Sequence, residues 1–131
     1  SSVSQATAAA ALSAPHDVLG GWLEAYRKRR DLVVDALNGI DGLSCATPEG
    51  AFYAFPGCAA LIGRVTPRGN RLETDVDVAT FLLEAAKVAV VPGTAFGMAP
   101  YLRIVYAAGD DTLRVALDRI AAAVATLSAE T

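Results

Sequence analysis

Histidine, methionine and tryptophan each occur once in the 131 residues, and cysteine and lysine twice each. The lone His16 follows Pro15 with no partner in local sequence, so no Ser/His/Asp set can be built around it and it is not read as catalytic. Cys45 and Cys58 form neither a disulfide framework nor a metal-ligand spacing, and are expected to be buried reduced thiols. Nucleophilic amines are equally scarce: Lys28 sits in a charged run and Lys87 at the end of a helical pattern. Aromatic residues make up only 7% against 53% apolar residues, so alanine and aliphatic side chains must carry the core. A formal charge of -3 argues against a polyanionic partner such as nucleic acid. No apolar run approaches the roughly 18 residues that span a bilayer, so no membrane segment is expected and the protein reads as soluble. There is no GxGxxG, no P-loop and no internal repeat.

What remains is about one domain's worth of chain, long enough to bury a core. It opens on Ser1-Ser2, and its first apolar run, residues 8–12, is not preceded by basic residues as in a signal peptide; the chain is expected to be a piece of something longer. Residues 2–12 are alanine-rich and helix-prone but weakly amphipathic, so that helix needs a neighbour. Pro15 and Asp17 mark a second helix start, with Gly39 as its stop and Val18, Trp22, Tyr26, Val33 and Leu37 as its core stripe. The basic run 27–30 within it reads as a solvated face beside Glu24, Asp31 and Asp35. Residues 43–46 and 51–55 read as short strands; Phe52 and Phe55 fall on opposite faces of the second, one packing inward and the other facing a cleft. Residues 63–73 read as an exposed loop with mobile ends. Thr74 and Asp77 form a capping-box pattern opening a helix with Val78, Phe81, Leu82 and Ala85 on one face. Asp110-Asp111 opens a last helix whose Leu113, Leu117, Ile120, Val124 and Leu127 recur at the helical period, with Arg114 and Asp118 as an exposed pair. Three or four short strands with three substantial helices predict an α+β fold: a small, mostly antiparallel sheet packed against helices.

The chain is organised around residues 88–107, VAVVPGTAFGMAPYLRIVYA. Two short strands, 88–91 and 101–106, flank the turn begun by Pro92-Gly93, which cannot continue a strand ladder. Alternation puts Leu102, Ile104 and Tyr106 on one face and Tyr101, Arg103 and Val105 on the other. Arg103 thus brings a guanidinium into an apolar setting. Such a charge is costly to desolvate unless an anion meets it, and its planar fork matches a carboxylate in bidentate fashion. The partner could be an Asp or Glu of the chain or a ligand.

Several stretches in this order resemble the C-terminal small domain of the class I, fold type I, pyridoxal-phosphate aminotransferases. SSVSQATAAAAL (1–12) is similar to the segment that follows the large domain's cofactor lysine, and YRKRRDLVVDALN (26–38) to the long interdomain helix. PEGAFYAFP (48–56), VAVVPGTAFG (88–97) and YLRIVYA (101–107) resemble the segments that close over the substrate. CAALIGRVTPRGNRLETD (58–75) is similar to the insertion of bacterial aspartate aminotransferases, which makes aspartate the leading amino donor. The resemblance implies that Arg103 grips the substrate α-carboxylate, that Gly50 and Phe52 line the cleft, and that Pro92, Gly93 and Phe96 shape the turn beneath it. Val105 departs from the small polar residue usual there.

The same resemblance implies residues 1–14 leading in from a missing large domain, and residues 15–131 as the small domain. Pyridoxal 5'-phosphate and its lysine would belong to the large domain, leaving this chain no catalytic, cofactor-binding or metal-binding residue and no activity alone. The implied partners are an amino acid and a 2-oxo acid, aspartate and 2-oxoglutarate first, in a cytoplasmic homodimer without nucleic acid or membrane. Two other readings stay open: a non-catalytic binding module of this fold, and a pyridoxal-phosphate lyase or synthase, since fold does not fix reaction.

Overall fold

A computed structural model describes residues 1–15 and 19–129. His16, Asp17 and Val18, and with them the start expected for the second helix, lie outside the described residues. Helix α1 (Ser2–Ser13) has no buried residue, as its weak amphipathicity requires when nothing packs on it. Helix α2 (Gly20–Asn38) buries only its C-terminal half, through Val33, Val34 and Leu37. Trp22 is 70% exposed, so the core stripe stops short of it; Tyr26 is half-buried. The N-terminal half of α2 extends past the core with Leu19, Trp22 and Leu23 uncovered. Gly39 does end α2, but at φ -81, so no left-handed cap is used; the positive φ falls at Gly42, inside the next turn.

The basic run divides. Lys28 and Arg27 lie near Glu24 in solvent, whereas Arg29 Nε donates to Asp110 Oδ1 at 2.8 Å and ties α2 to the start of α4 (Asp110–Val124). Leu113, Leu117, Ile120 and Val124 of α4 are buried as the period predicts, and Leu127 packs on the core just past the helix end. Arg114 and Asp118 do not come within ion-pair distance, which costs little because exposed pairs of this kind are worth a few tenths of a kcal/mol.

Three strands form an antiparallel sheet in the order β1 (Tyr53–Ala54), β3 (Leu102–Val105), β2 (Val91–Pro92), with Tyr53 opposite Val105 and Val91 opposite Arg103. Each strand is shorter than its pattern predicts. Residues 43–46 contribute only a bridge between Ser44 and Gly57, because Asn38 takes both the amide and the carbonyl of Cys45. Residues 88–90 are not in the ladder, while Pro92 is, opposite Leu102. An edge strand tolerates proline, since only one side of its backbone has to pair.

Ala54, Leu102, Ile104 and Tyr106 turn one face of the sheet into the core against the helices. Each fully buried aliphatic side chain there contributes about 1.5–3 kcal/mol. Helix α3 (Asp75–Phe81) starts with the expected capping box between Thr74 and Asp77. It then widens into a π-helical turn (Leu82–Ala86) that ends at Lys87 with φ 58. The wider turn rotates the face, so Ala86 is buried and Ala85 exposed, the reverse of what a regular helix predicts. The 63–73 segment is better anchored than a mobile loop: Val65 bridges both Arg71 and Ser128, and Leu72 is buried.

Candidate anion-binding site

The sheet face turned away from the core carries Arg103. Its neighbours are set by register: Val91 stands opposite it on β2, and the β1–β3 ladder, continuing to the Gly57–Tyr101 bridge, brings Tyr53, Phe55 and Tyr101 to the same face. The guanidinium carbon lies 4.8 Å from the Tyr53 ring centroid and 4.3 Å from that of Phe96. Phe55 stacks on Tyr101 at 5.4 Å and meets Phe96 edge-on at 6.3 Å, closing an aromatic enclosure.

Arg103 has no Asp or Glu at ion-pair distance among the described residues, so the internal salt bridge is not what accommodates it. Its Nε is buried and makes no hydrogen bond. Cation–π contacts return about 0.5–2 kcal/mol but supply no acceptor, while a buried donor left unmade costs about 1–3 kcal/mol. A carboxylate satisfies both charge and geometry.

Phe96 reaches the guanidinium from a tight 3-10 turn (Gly93–Phe96). The turn closes on itself, Met98 N–H donating to Gly93 O at 3.0 Å and Gly97 N–H to Thr94 O at 3.0 Å. Asp75, only 1% exposed, holds it from below: Oδ2 accepts the Thr94 N–H at 2.9 Å and Oδ1 the Thr94 hydroxyl at 2.6 Å. Burial alone would raise the Asp75 pKa, but hydrogen bonds from the Thr94 hydroxyl and amide and from the Tyr101 and Val76 amides outweigh it and hold the carboxyl below its ordinary value. A depressed folded pKa makes this charge stabilising above the unfolded value of 3.8, and the contribution is lost as pH falls through the folded one.

The other residues singled out from sequence are not gathered here. Phe52 is 42% exposed at the end of the ladder, its ring 4.7 Å from Tyr53 and 6.4 Å from Tyr26, without a ring contact to Arg103. Gly50 is exposed, in the turn before it. That turn is fixed by Tyr106, whose hydroxyl donates to Ala51 O at 3.0 Å, and Ala51 takes the left-handed φ of 60. Of the two phenylalanines that alternation separates, Phe55 is the one beside Arg103. Tyr53, Phe55 and Tyr101 escape a reading of single strands because their approach depends on cross-strand register; the aromatic spacing in FYAF, in register with YLR, is the one signal pointing to them.

Neither lysine lies beside Arg103. Lys28 is exposed and lies 3.8 Å from Glu24. Lys87 lines a separate cavity of about 840 Å³ between residues 66–72, α3 and α4, whose walls include neither Arg103 nor its aromatic neighbours. The thiols are no better as nucleophiles: burial, with Asp75 nearby, pushes Cys58 up to about 11, and burial raises Cys45. Mixing the chain with pyridoxal phosphate, reducing with borohydride and mapping peptides is expected to leave no single lysine stoichiometrically labelled. Full labelling of Lys28 or Lys87 alone would contradict this account.

Residues 1–120 match the family Aminotransferase class I and II. The chain is 56% identical to the aspartate aminotransferase of Rhizobium meliloti (strain 1021), over 98% of its own length and 31% of that protein's. It is 46% identical to the aspartate/prephenate aminotransferase of Cereibacter sphaeroides, over 97% of its length and 32% of the relative's. Among solved structures, the Rhizobium meliloti aspartate aminotransferase superposes with a TM-score of 0.94 at 55% identity, covering 98% of this chain and 32% of that one. The Thermus thermophilus aspartate aminotransferase with maleate superposes with a TM-score of 0.63 at 40% identity, covering 76% and 23%. The chain thus spans about a third of the length of the curated relatives it matches. With the family match running through the strands, the turn and the arginine that build the site, the chain belongs to the class I and II aminotransferases.

Proposed function

We propose that this chain is the substrate-gripping small domain of a pyridoxal-phosphate aminotransferase that moves the amino group of aspartate to 2-oxoglutarate. One observation carries the reading: a half-buried guanidinium, enclosed by aromatic rings, with a buried Nε that has no acceptor. Arg103 receives the α-carboxylate and fixes how the amino acid presents its α-carbon. The rings of Tyr53 and Phe96 exclude water and so strengthen that ion pair. The Thermus relative solved with maleate, itself a dicarboxylate, supports an acidic substrate. Relatives named aspartate/prephenate aminotransferase favour prephenate as a second acceptor to test.

In this reading residues 15–131 are the small domain and residues 1–14 lead in from a larger one that holds the cofactor. Gly50 and Phe52 line the outer part of the cleft. The uncovered apolar side chains of Leu12, Trp22 and Leu23 support burial against that larger domain and the second subunit of a homodimer. Free buried cysteines support a cytoplasmic setting.

The test uses the longer protein that carries this segment. Amino transfer from aspartate is expected to exceed that from β-alanine, which is aspartate without its α-carboxylate, by at least about 100-fold in kcat/KM. Comparable rates for the two donors, or no transfer from aspartate, would overturn the reading.

A further inference from the structure

The hydrogen bonds beneath the Arg103 site link it to a residue on another element. We propose that Asp75, acting through Thr94, is a positioning residue for the carboxylate clamp, setting where Phe96 stands and therefore how the Arg103 guanidinium is aimed. The inference rests on the reading of Arg103 as a carboxylate receptor and adds the residues that orient it.

Four observations support it. Asp75 lies in the first turn of α3 and is 1% exposed, and beside the Val76 and Tyr101 amides both of its carboxylate oxygens reach Thr94, 19 positions away, one its amide and the other its hydroxyl. The 2.6 Å contact from the Thr94 hydroxyl is short, as expected for a hydroxyl donating to a charged oxygen. Thr94 lies two residues before Phe96 in the same 3-10 turn, so rotation at Thr94 carries Phe96 with it. The Phe96 ring centroid in turn lies 4.3 Å from the guanidinium carbon, and among the described residues Arg103 has no ion pair and its buried Nε no hydrogen bond.

With no acid among the described residues to fix it, the guanidinium is oriented by its contacts with the surrounding rings. The ring of Phe96 is one wall, and the buried carboxylate of Asp75 is what makes that wall rigid. A capping role does not explain the arrangement, because the α3 capping box is completed by Thr74 and Asp77. Its shortest hydrogen bond goes to Thr94 of the turn.

The test compares aspartate with β-alanine in the longer protein for Thr94→Val, which keeps size but loses the hydroxyl donor, Thr94→Ser, which restores it, and Asp75→Asn. Thr94→Val is expected to lower kcat/KM for aspartate about 10-fold, chiefly through KM, with β-alanine changed less than about 2-fold. Thr94→Ser is expected to recover most of the loss, and Asp75→Asn to follow Thr94→Val. A merely structural role would depress both donors together through loss of folded enzyme, so the ratio of donors is the readout. An unchanged ratio in folded Thr94→Val protein overturns the proposal while leaving Arg103 as receptor. A wild-type enzyme that does not prefer aspartate overturns both. If Asp75→Asn fails to fold, the Thr94 pair decides.

Discussion

Arg103→Lys is expected to lower kcat/KM for aspartate in the longer protein by about 30- to 1,000-fold, corresponding to about 2–4 kcal/mol of lost transition-state binding. Lysine keeps the charge but replaces a planar, two-pronged donor with a compact ammonium that cannot match both carboxylate oxygens. It also loses the guanidinium's cation–π contacts with Tyr53 and Phe96. Cofactor binding is expected to be nearly unchanged, because in the proposed reading the larger domain holds the cofactor. Stability is expected to move by less than about 1 kcal/mol, since weaker cation–π contacts are offset by removing a buried, unsatisfied Nε. Melting temperature beside transamination kinetics, with β-alanine as control, checks the whole set. If the substitution harms β-alanine as much as aspartate, Arg103 is not reading the α-carboxylate.

Gly93→Ala is expected to be the most destabilising single-methyl change in the turn. A Cβ at this buried position would overlap the Met98 carbonyl oxygen and stand 2.8 Å from Tyr101 Cβ and 3.0 Å from the Tyr101 carbonyl oxygen. Two of those three atoms are backbone, so no side-chain rotation relieves the clash. The Gly93 N–H also donates to Tyr101 O at 2.7 Å, a bond that must stretch if the strands part. Overpacking usually costs 1–3 kcal/mol, and a backbone clash belongs at the upper end, about 3 kcal/mol or more. Chemical denaturation of the chain measures it. Gly50→Ala is the control, expected within about 0.5 kcal/mol because its Cβ meets nothing within 4 Å. Equal stabilities for the two variants would refute the packing argument.

These expectations differ in how far they could be reached before the fold was known. Alternation along residues 101–106 is enough to separate Arg103 from the core-facing Leu102, Ile104 and Tyr106, because a strand's period of two is a local property of the backbone. The Thr74–Asp77 capping box and the periodic stripe of α4 are local in the same sense, and the structure contains both. The family resemblance adds the role proposed for Arg103 through short contiguous motifs.

Other features are decided between elements. Whether Arg103 finds an acid inside the chain depends on what the neighbouring strands and turns place beside it, and the answer is aromatic rings. Trp22 belongs to the helical stripe by spacing yet lies outside the core, because α2 is longer than the sheet it covers. Ala85 and Ala86 exchange faces through a π-helical turn that spacing at 3.6 residues does not anticipate.

By itself, then, the sequence determined the α+β class, the buried stripe of α4, the face that Arg103 occupies and the family. Each follows from local periodicity or from residues adjacent in the chain. Tertiary structure alone decided that Phe55 rather than Phe52 stands beside the guanidinium, that no Asp or Glu among the described residues pairs with that charge, and that Asp75 holds the turn carrying Phe96 from 19 residues away. The physical reason is that cross-strand register and buried hydrogen bonds join residues distant in sequence, and their geometry exists only once the strands have paired and the turn has closed.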